Sequence, residues 1–288
     1  MFKRLLAKAA SIILMVAACS VAGNSLAQPS DPAGLRTAVY AQEKNNAALF
    51  GIDGVVGTGV SVDARGKAVI KVFLASPEIR GVPRRIDGVP VRLQVTGRIT
   101  ALRNPCSGPP GGRPPECSDE GDTAEEALSP TSRFPRPVPT GVSTGHPAVT
   151  AGTICCRVLQ NGQVFALSNN HVYANENSAL IDSDVVLQPG RFDGGSVATD
   201  SIGVLSDFQS IIFSRSAANV VDAAIAISST QELGNKTPPD GYGMPRSTTI
   251  AAEPGMPVMK YGRTTGQTQG TVDAINVTVD VGFDAGVA

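Results

Sequence analysis

The runs Gly152-Thr153-Ile154-Cys155-Cys156-Arg157-Val158-Leu159 and Gln163-Val164-Phe165-Ala166-Leu167-Ser168 decide the fold class. Each is short, apolar and rich in residues that suit a pleated surface, and neither is long enough for a globular helix. Comparable runs recur at 184–188, 210–213, 220–227, 256–261 and 269–281, with no helix-length pattern between them. Gly262-Arg263-Thr264-Thr265-Gly266 reads as the turn of a hairpin joining the last two. Within 269–281, Ile275, Val277, Val279 and Val281 share one face while Val272 and Ala274 fall in the opposite phase, which predicts a bulge. Residues 141–288 are therefore expected to form an all-β barrel or sandwich.

Upstream the pattern changes. Leu35, Ala38, Val39, Ala41 and Gln42 carry a helical period, predicting a helix over 31–49. Val55–Val62, Ala68–Leu74 and Val89–Val95 follow as strands bounded by Gly, Pro or Asp-Gly. Residues 31–103 thus read as a small α+β module. Gly57-Thr58-Gly59 lacks a third glycine and a following helix, so it reads as part of a strand and not as a dinucleotide loop. Residues 104–140 hold nine of the 21 prolines and an acidic cluster from Glu116 to Glu126. That composition predicts a linker or surface insertion.

The chain has 288 residues, of which 42% are apolar and 17% charged, with 31 glycines and no tryptophan. This composition sustains a buried core and favours short strands and turns over a helical bundle. The net charge of −1 leaves no electrostatic footprint for nucleic acid. Lys3 and Arg4 precede a short apolar run, the pattern of an export signal over residues 1–27. Ser25-Leu26-Ala27 would release a chain beginning at Gln28, whereas Val16-Ala17-Ala18-Cys19 resembles a lipobox that would acylate Cys19. Cleavage after Ala27 is the preferred reading, leaving 21 basic against 25 acidic residues. Either route predicts a protein exported from a bacterial cell: periplasmic, secreted, or held at the outer membrane by lipid. No later segment reaches the roughly 18 apolar residues of a membrane span.

In an oxidising compartment, Cys106 and Cys117 are the expected disulfide, because the Pro/Gly-rich stretch between them bends back on itself. Cys155 and Cys156 are adjacent in an expected strand, which predicts side chains on opposite faces. No C-x-x-C or H-x-x-x-H spacing is present, so no structural metal is expected.

Only two histidines occur. His171 follows the strand Gln163–Ser168 through Asn169-Asn170, and Asp222 opens the run Asp222-Ala223-Ala224-Ile225-Ala226-Ile227. A carboxylate leading so apolar a run tends to be partly buried and needs a partner. A histidine ring is such a partner, and the pair would leave the far ring nitrogen free to take a proton from a nucleophile.

Leu167-Ser168-Asn169-Asn170-His171-Val172, followed by Asn219-Val220-Val221-Asp222-Ala223-Ala224-Ile225-Ala226, resembles the histidine and aspartate motifs of trypsin-like serine peptidases. More narrowly it is similar to the bacterial relatives of the plant narrow-leaf-type peptidases. Val142–His146, Thr150–Thr153, Gln188-Pro189-Gly190 with Asp193-Gly194-Gly195, Lys260–Gly266 and Asp87–Val91 match the same group in order. The resemblance implies a double β-barrel, His171 as general base, Asp222 as its orienting carboxylate, a protein or peptide substrate and no cofactor. His146 has no catalytic counterpart and reads as a turn residue before Pro147.

In that group the nucleophile lies in a Gly-Asp-Ser-Gly segment after the Arg-Thr-Thr-Gly hairpin, and no such segment occurs in these 288 residues. Ser228, Ser229 and Ser247 lack glycine on both sides. The expectation is a fragment of an exported endopeptidase, inactive without its serine, with an incomplete second barrel and an exposed edge at 269–281. The alternative is a secreted, non-catalytic peptidase-like binding protein.

Overall fold

A computed structural model describes residues 34–101, 128–214, 216–283 and 286–287. The expected export signal, Cys19 and the Cys106–Cys117 pair lie outside the described residues. The chain is mainly β, with 36% strand and 10% helix arranged as several sheets, none closed into a barrel. None of the described helices is long and apolar enough to cross a membrane.

In chain order the amino-terminal elements are α1 (Leu35–Phe50), β1 (Val55–Val62), β2 (Ala68–Leu74), β3 (Arg85–Ile86), β4 (Val89–Val95) and β5 (Ile99–Thr100). There follow β6 (Ser143–Thr144), β7 (Gly152–Thr153), β8 (Cys156–Gln160), β9 (Gln163–Ser168), α2 (Asn170–Tyr173), β10 (Val185–Leu187), β11 (Ser201–Phe208) and β12 (Ala224–Ser228). Last come β13 (Pro257–Gly262), β14 (Gly266–Thr271), β15 (Ile275–Val279), β16 (Val281–Phe283) and β17 (Gly286–Val287).

Helix α1 forms because Ala38, Ala41, Gln42 and Leu49 lie on one buried stripe. That stripe packs on Val60, Ile70, Val72 and Leu74 of the first sheet. The sheet order is β15-β1-β2-β4-β3, so its outer strand comes from the far end of the chain. An edge at 269–281 is present, as expected: β14 pairs with β13 alone, and β15, largely exposed, is the outer strand of the first sheet. The chain leaves the β13–β14 hairpin after Thr271, and Ile275–Val279 pairs antiparallel with β1. The out-of-phase residues Val272 and Ala274 mark the change of sheet, and a bulge follows inside β15, where Ile275 pairs with Val60 but Thr278 with Thr58.

Two features make room for this addition. A Cβ on Gly57 would fall 2.7 Å from Val279 Cγ1 and 2.9 Å from Phe73, so only glycine admits so close an approach. The side chain of Gln42, fully buried, donates to Thr58 Oγ1 (2.8 Å) and to the Asn276 carbonyl (2.9 Å), while Asn276 Nδ2 donates back to Gln42 Oε1 (2.9 Å). Burying these amides is tolerated because their polar atoms are satisfied reciprocally.

The second module is an antiparallel sheet in the order β10-β11-β12-β9-β8. One face carries Val164, Ala166, Ala224, Ala226, Ile202 and Leu205 into a core around Tyr173. Phe165 and Ile225 form a smaller apolar cluster of their own. Phe134 and Val138, inside the segment expected to be a linker up to residue 140, are buried in the main core. Val138 also forms a bridge with Leu233, so this module begins before residue 141. The strand expected at 210–213 is a loop. The strand in its place is β11, whose Gly, Ser and Asp residues mask its period.

Candidate active site

His171 and Asp222 meet. Strand β9 ends at Ser168, and the single turn of α2 lifts His171 off the sheet end. Asp222 lies on the chain entering β12, which is paired with β9, so the two residues leave the same end of adjacent strands. The separation of Asp222 Oδ2 from His171 Nδ1 is 2.5 Å. The other oxygen, Oδ1, accepts the backbone N–H of Asn170 (2.6 Å) and of His171 (3.3 Å). Asn169 Nδ2 donates to the Asp222 carbonyl at 3.1 Å. One carboxylate thus anchors both the backbone turn and the ring it carries.

This geometry fixes the tautomer. An ionised carboxylate can only accept, so Nδ1 carries the proton and Nε2 keeps its lone pair. Among the described residues, no hydrogen bond to Nε2 occurs. The side chains are 17% exposed for His171 and 27% for Asp222, open enough for a reactant and shielded enough to hold one orientation. Phe283 of β16 meets the imidazole edge-on, with ring centroids 5.9 Å apart, and Phe213 backs Phe283 at 5.6 Å.

Sequence reasoning missed the residues that hold this turn. Asn170 is fully buried, and its Nδ2 donates to Asn177 Oδ1 (2.8 Å) and the Gln209 carbonyl (2.7 Å). Asn177, at φ 71°, also accepts the Ile211 N–H and donates to its carbonyl. The run Asn175-Glu176-Asn177, all at positive φ, was the available signal, since asparagine tolerates that region. Phe283 carried no signal, because its contact with His171 spans the chain.

His146 belongs to a different arrangement. The Ala148 N–H donates to its Nδ1 (3.0 Å), so Nε2 bears the proton and faces Asp184 Oδ2 at 3.1 Å. The Leu180 N–H, with His146 contributing, holds the Asp184 carboxyl below the usual carboxylate range. Both ring nitrogens are engaged, which suits a structural role beside Pro147.

A second convergence joins motifs distant in sequence. Arg263, in the hairpin turn, grips Asp193 through two bonds of 2.8 and 2.5 Å. Ser143 Oγ donates to the same carboxylate (2.5 Å) and accepts the Gly190 N–H (2.9 Å). The guanidinium lies 5.4 Å from the Phe192 ring centroid. These bonds fasten the β13–β14 hairpin to the loop after β10. Among the described residues, no group of three or more His, Cys, Asp or Glu could hold a metal ion.

No protein-family model matches the chain, and no curated protein matches it. The site's own geometry is what bears on its chemistry.

Proposed function

We propose that the chain is the histidine–aspartate part of an exported serine-type endopeptidase, with His171 as general base and Asp222 as its orienting carboxylate. One observation carries the reading: Asp222 Oδ2 stands 2.5 Å from His171 Nδ1 while its other oxygen pins the turn beneath. The order β10-β11-β12-β9-β8 would be the first barrel of a trypsin-like fold, left open. In the proposed reaction a serine delivered to Nε2 from outside these 288 residues loses its proton to His171 and attacks the scissile carbonyl carbon. The tetrahedral intermediate expels the amine, which takes that proton from the imidazolium, and water then cleaves the acyl-enzyme by the same base. Asp222 stabilises the imidazolium in both halves, and the cycle needs neither metal nor nucleotide.

A second reading, a secreted peptide-binding protein without hydrolysis, is favoured by Phe283 packing against the ring that must act. Assay of the complete gene product on a protein substrate separates the two. Hydrolysis lost in His171→Ala supports the peptidase. Peptide binding without hydrolysis, unchanged in His171→Ala, supports the second.

A further inference from the structure

Cys155 and Cys156 do not alternate across the sheet as adjacent strand residues normally do. The Cys155 N–H donates to the Leu167 carbonyl at 2.9 Å, and Cys156 is itself paired with Leu167. Two residues of one strand therefore oppose a single residue of β9, which is a β-bulge. The extra residue interrupts the period of two where the ladder begins, and the two thiols lie close enough for each to shift the other's titration. Both are free, Cys155 exposed and Cys156 half-buried.

From this juxtaposition we propose that Cys155 and Cys156 form a redox site, a vicinal dithiol that small disulfides such as oxidised glutathione convert reversibly to a vicinal disulfide. In the first step the Cys155 thiolate attacks one sulfur of the small disulfide. That S–S bond breaks, a mixed disulfide forms, and one small thiolate leaves and is protonated. In the second step the Cys156 thiol gives its proton to solvent and attacks Cys155 Sγ, expelling the second small thiolate. Two protein thiols are oxidised and one disulfide is reduced to two thiols.

The roles follow from position. Cys155 is the accessible sulfur, and Cys156 sits behind it to resolve the mixed disulfide. A hydrogen bond from Cys156 brings the Cys155 thiol down to about 7, and the same contact pushes Cys156 up. At pH 7 Cys155 thus holds about ten times more thiolate than an ordinary cysteine, part of which is offset by lower nucleophilicity. Two other titratable groups feel this pair, Tyr173 of α2 and Tyr242; burial raises both, so they stay neutral at that pH. Adjacent Cα atoms are only about 3.8 Å apart, closer than in an ordinary bridge, so the ring that closes should be readily reducible.

The test uses the intact 288-residue protein, equilibrated with graded ratios of oxidised to reduced glutathione, acid-quenched, alkylated and peptide-mapped. The expected result is that Cys155 and Cys156 lose alkylation together, with their peptide lighter by two hydrogens and free of glutathione. A small dithiol should restore both labels. Cys156→Ser should stop at a mixed disulfide on Cys155. The proposal is overturned if the wild-type peptide accumulates glutathione while Cys156 stays alkylatable. It is equally overturned if both thiols resist ratios that oxidise a reference dithiol, or if either sulfur pairs with Cys106 or Cys117. The wild-type mapping decides by itself should the variant fail to fold.

Discussion

Replacing Asp222 by Asn tests how the histidine is held, because it removes charge while keeping shape. The carboxylate accepts three hydrogen bonds, from the N–H groups of Asn170 and His171 and from the ring Nδ1. An amide has one acceptor oxygen. If that oxygen faces the two backbone N–H groups, the NH2 faces Nδ1, which must then accept, and the ring proton moves to Nε2. The flipped amide would set its NH2 against two donors, leaving partly buried N–H groups unmet at about 1–3 kcal/mol each, so the first arrangement wins. Replacing charge-assisted bonds by neutral ones costs about 1 kcal/mol apiece before screening. With the Asp222 side chain 27% exposed, solvent reduces the sum to about 2 kcal/mol. Urea denaturation should show that loss with an unchanged m-value, and the fold should persist. Nitrogen-15 NMR of the two imidazoles supplies the decisive readout. In the wild type His171 should carry its proton on Nδ1 and His146 on Nε2, and Asp222→Asn should move only the first. Stability within about 0.5 kcal/mol of wild type together with an unmoved tautomer would refute the reasoning.

Other outcomes follow from the contacts away from His171. Arg263→Met leaves the Asp193 side chain, 7% exposed, without its ion-pair partner and with Ser143 Oγ as its remaining donor, and should cost about 3–5 kcal/mol by denaturation, whereas Arg263→Lys should recover only part of it. Gly57→Val drives a branched side chain into Val279 and Phe73, and should cost about 1–3 kcal/mol. Hydrogen exchange should rise first in Ile275–Val279, and an unaltered exchange pattern there would contradict the packing described. The Arg133 guanidinium, with the Ser196 N–H and the Thr199 hydroxyl assisting, holds Asp200 down to about 2 from 3.8. A depressed folded value means that this stabilisation is complete above the unfolded pKa and is lost as pH falls from about 4 to 2. Arg133 is itself exposed, so the loss should be on the order of 1–2 kcal/mol. Arg133→Ala should flatten the stability profile in that window.

The amino-terminal strands Val55–Val62, Ala68–Leu74 and Val89–Val95 were legible to the residue because each is a dense apolar run cut off by turn residues. The His171–Asp222 contact was legible for another reason: a carboxylate opening an apolar run needs a partner, and few rings were available. The elements that misled did so through partners remote in sequence. Ile211, Ile212 and Phe213 look like a strand, but Asn177 and Asn219 side chains accept the N–H groups of Ile211 and Ile212, so the segment is held as a loop. Residues 269–281 alternate almost without interruption, and local pattern cannot say that the first part pairs with β13 and the last with β1. Gly57 bore a mark of that second pairing, a strand glycine that lets another backbone close in. Cys155 and Cys156 misled because a bulge is set by the register of the opposite strand, which their own sequence does not carry.

The most direct test of the central claim is hydrolysis of a protein substrate by the complete gene product, assayed beside its His171→Ala and Asp222→Asn variants. The account predicts turnover in the wild type, none above background in His171→Ala, and a fall of about 10⁴-fold in Asp222→Asn with the fold intact. Turnover that survives His171→Ala unchanged would show that this histidine is not the base, and would contradict the account.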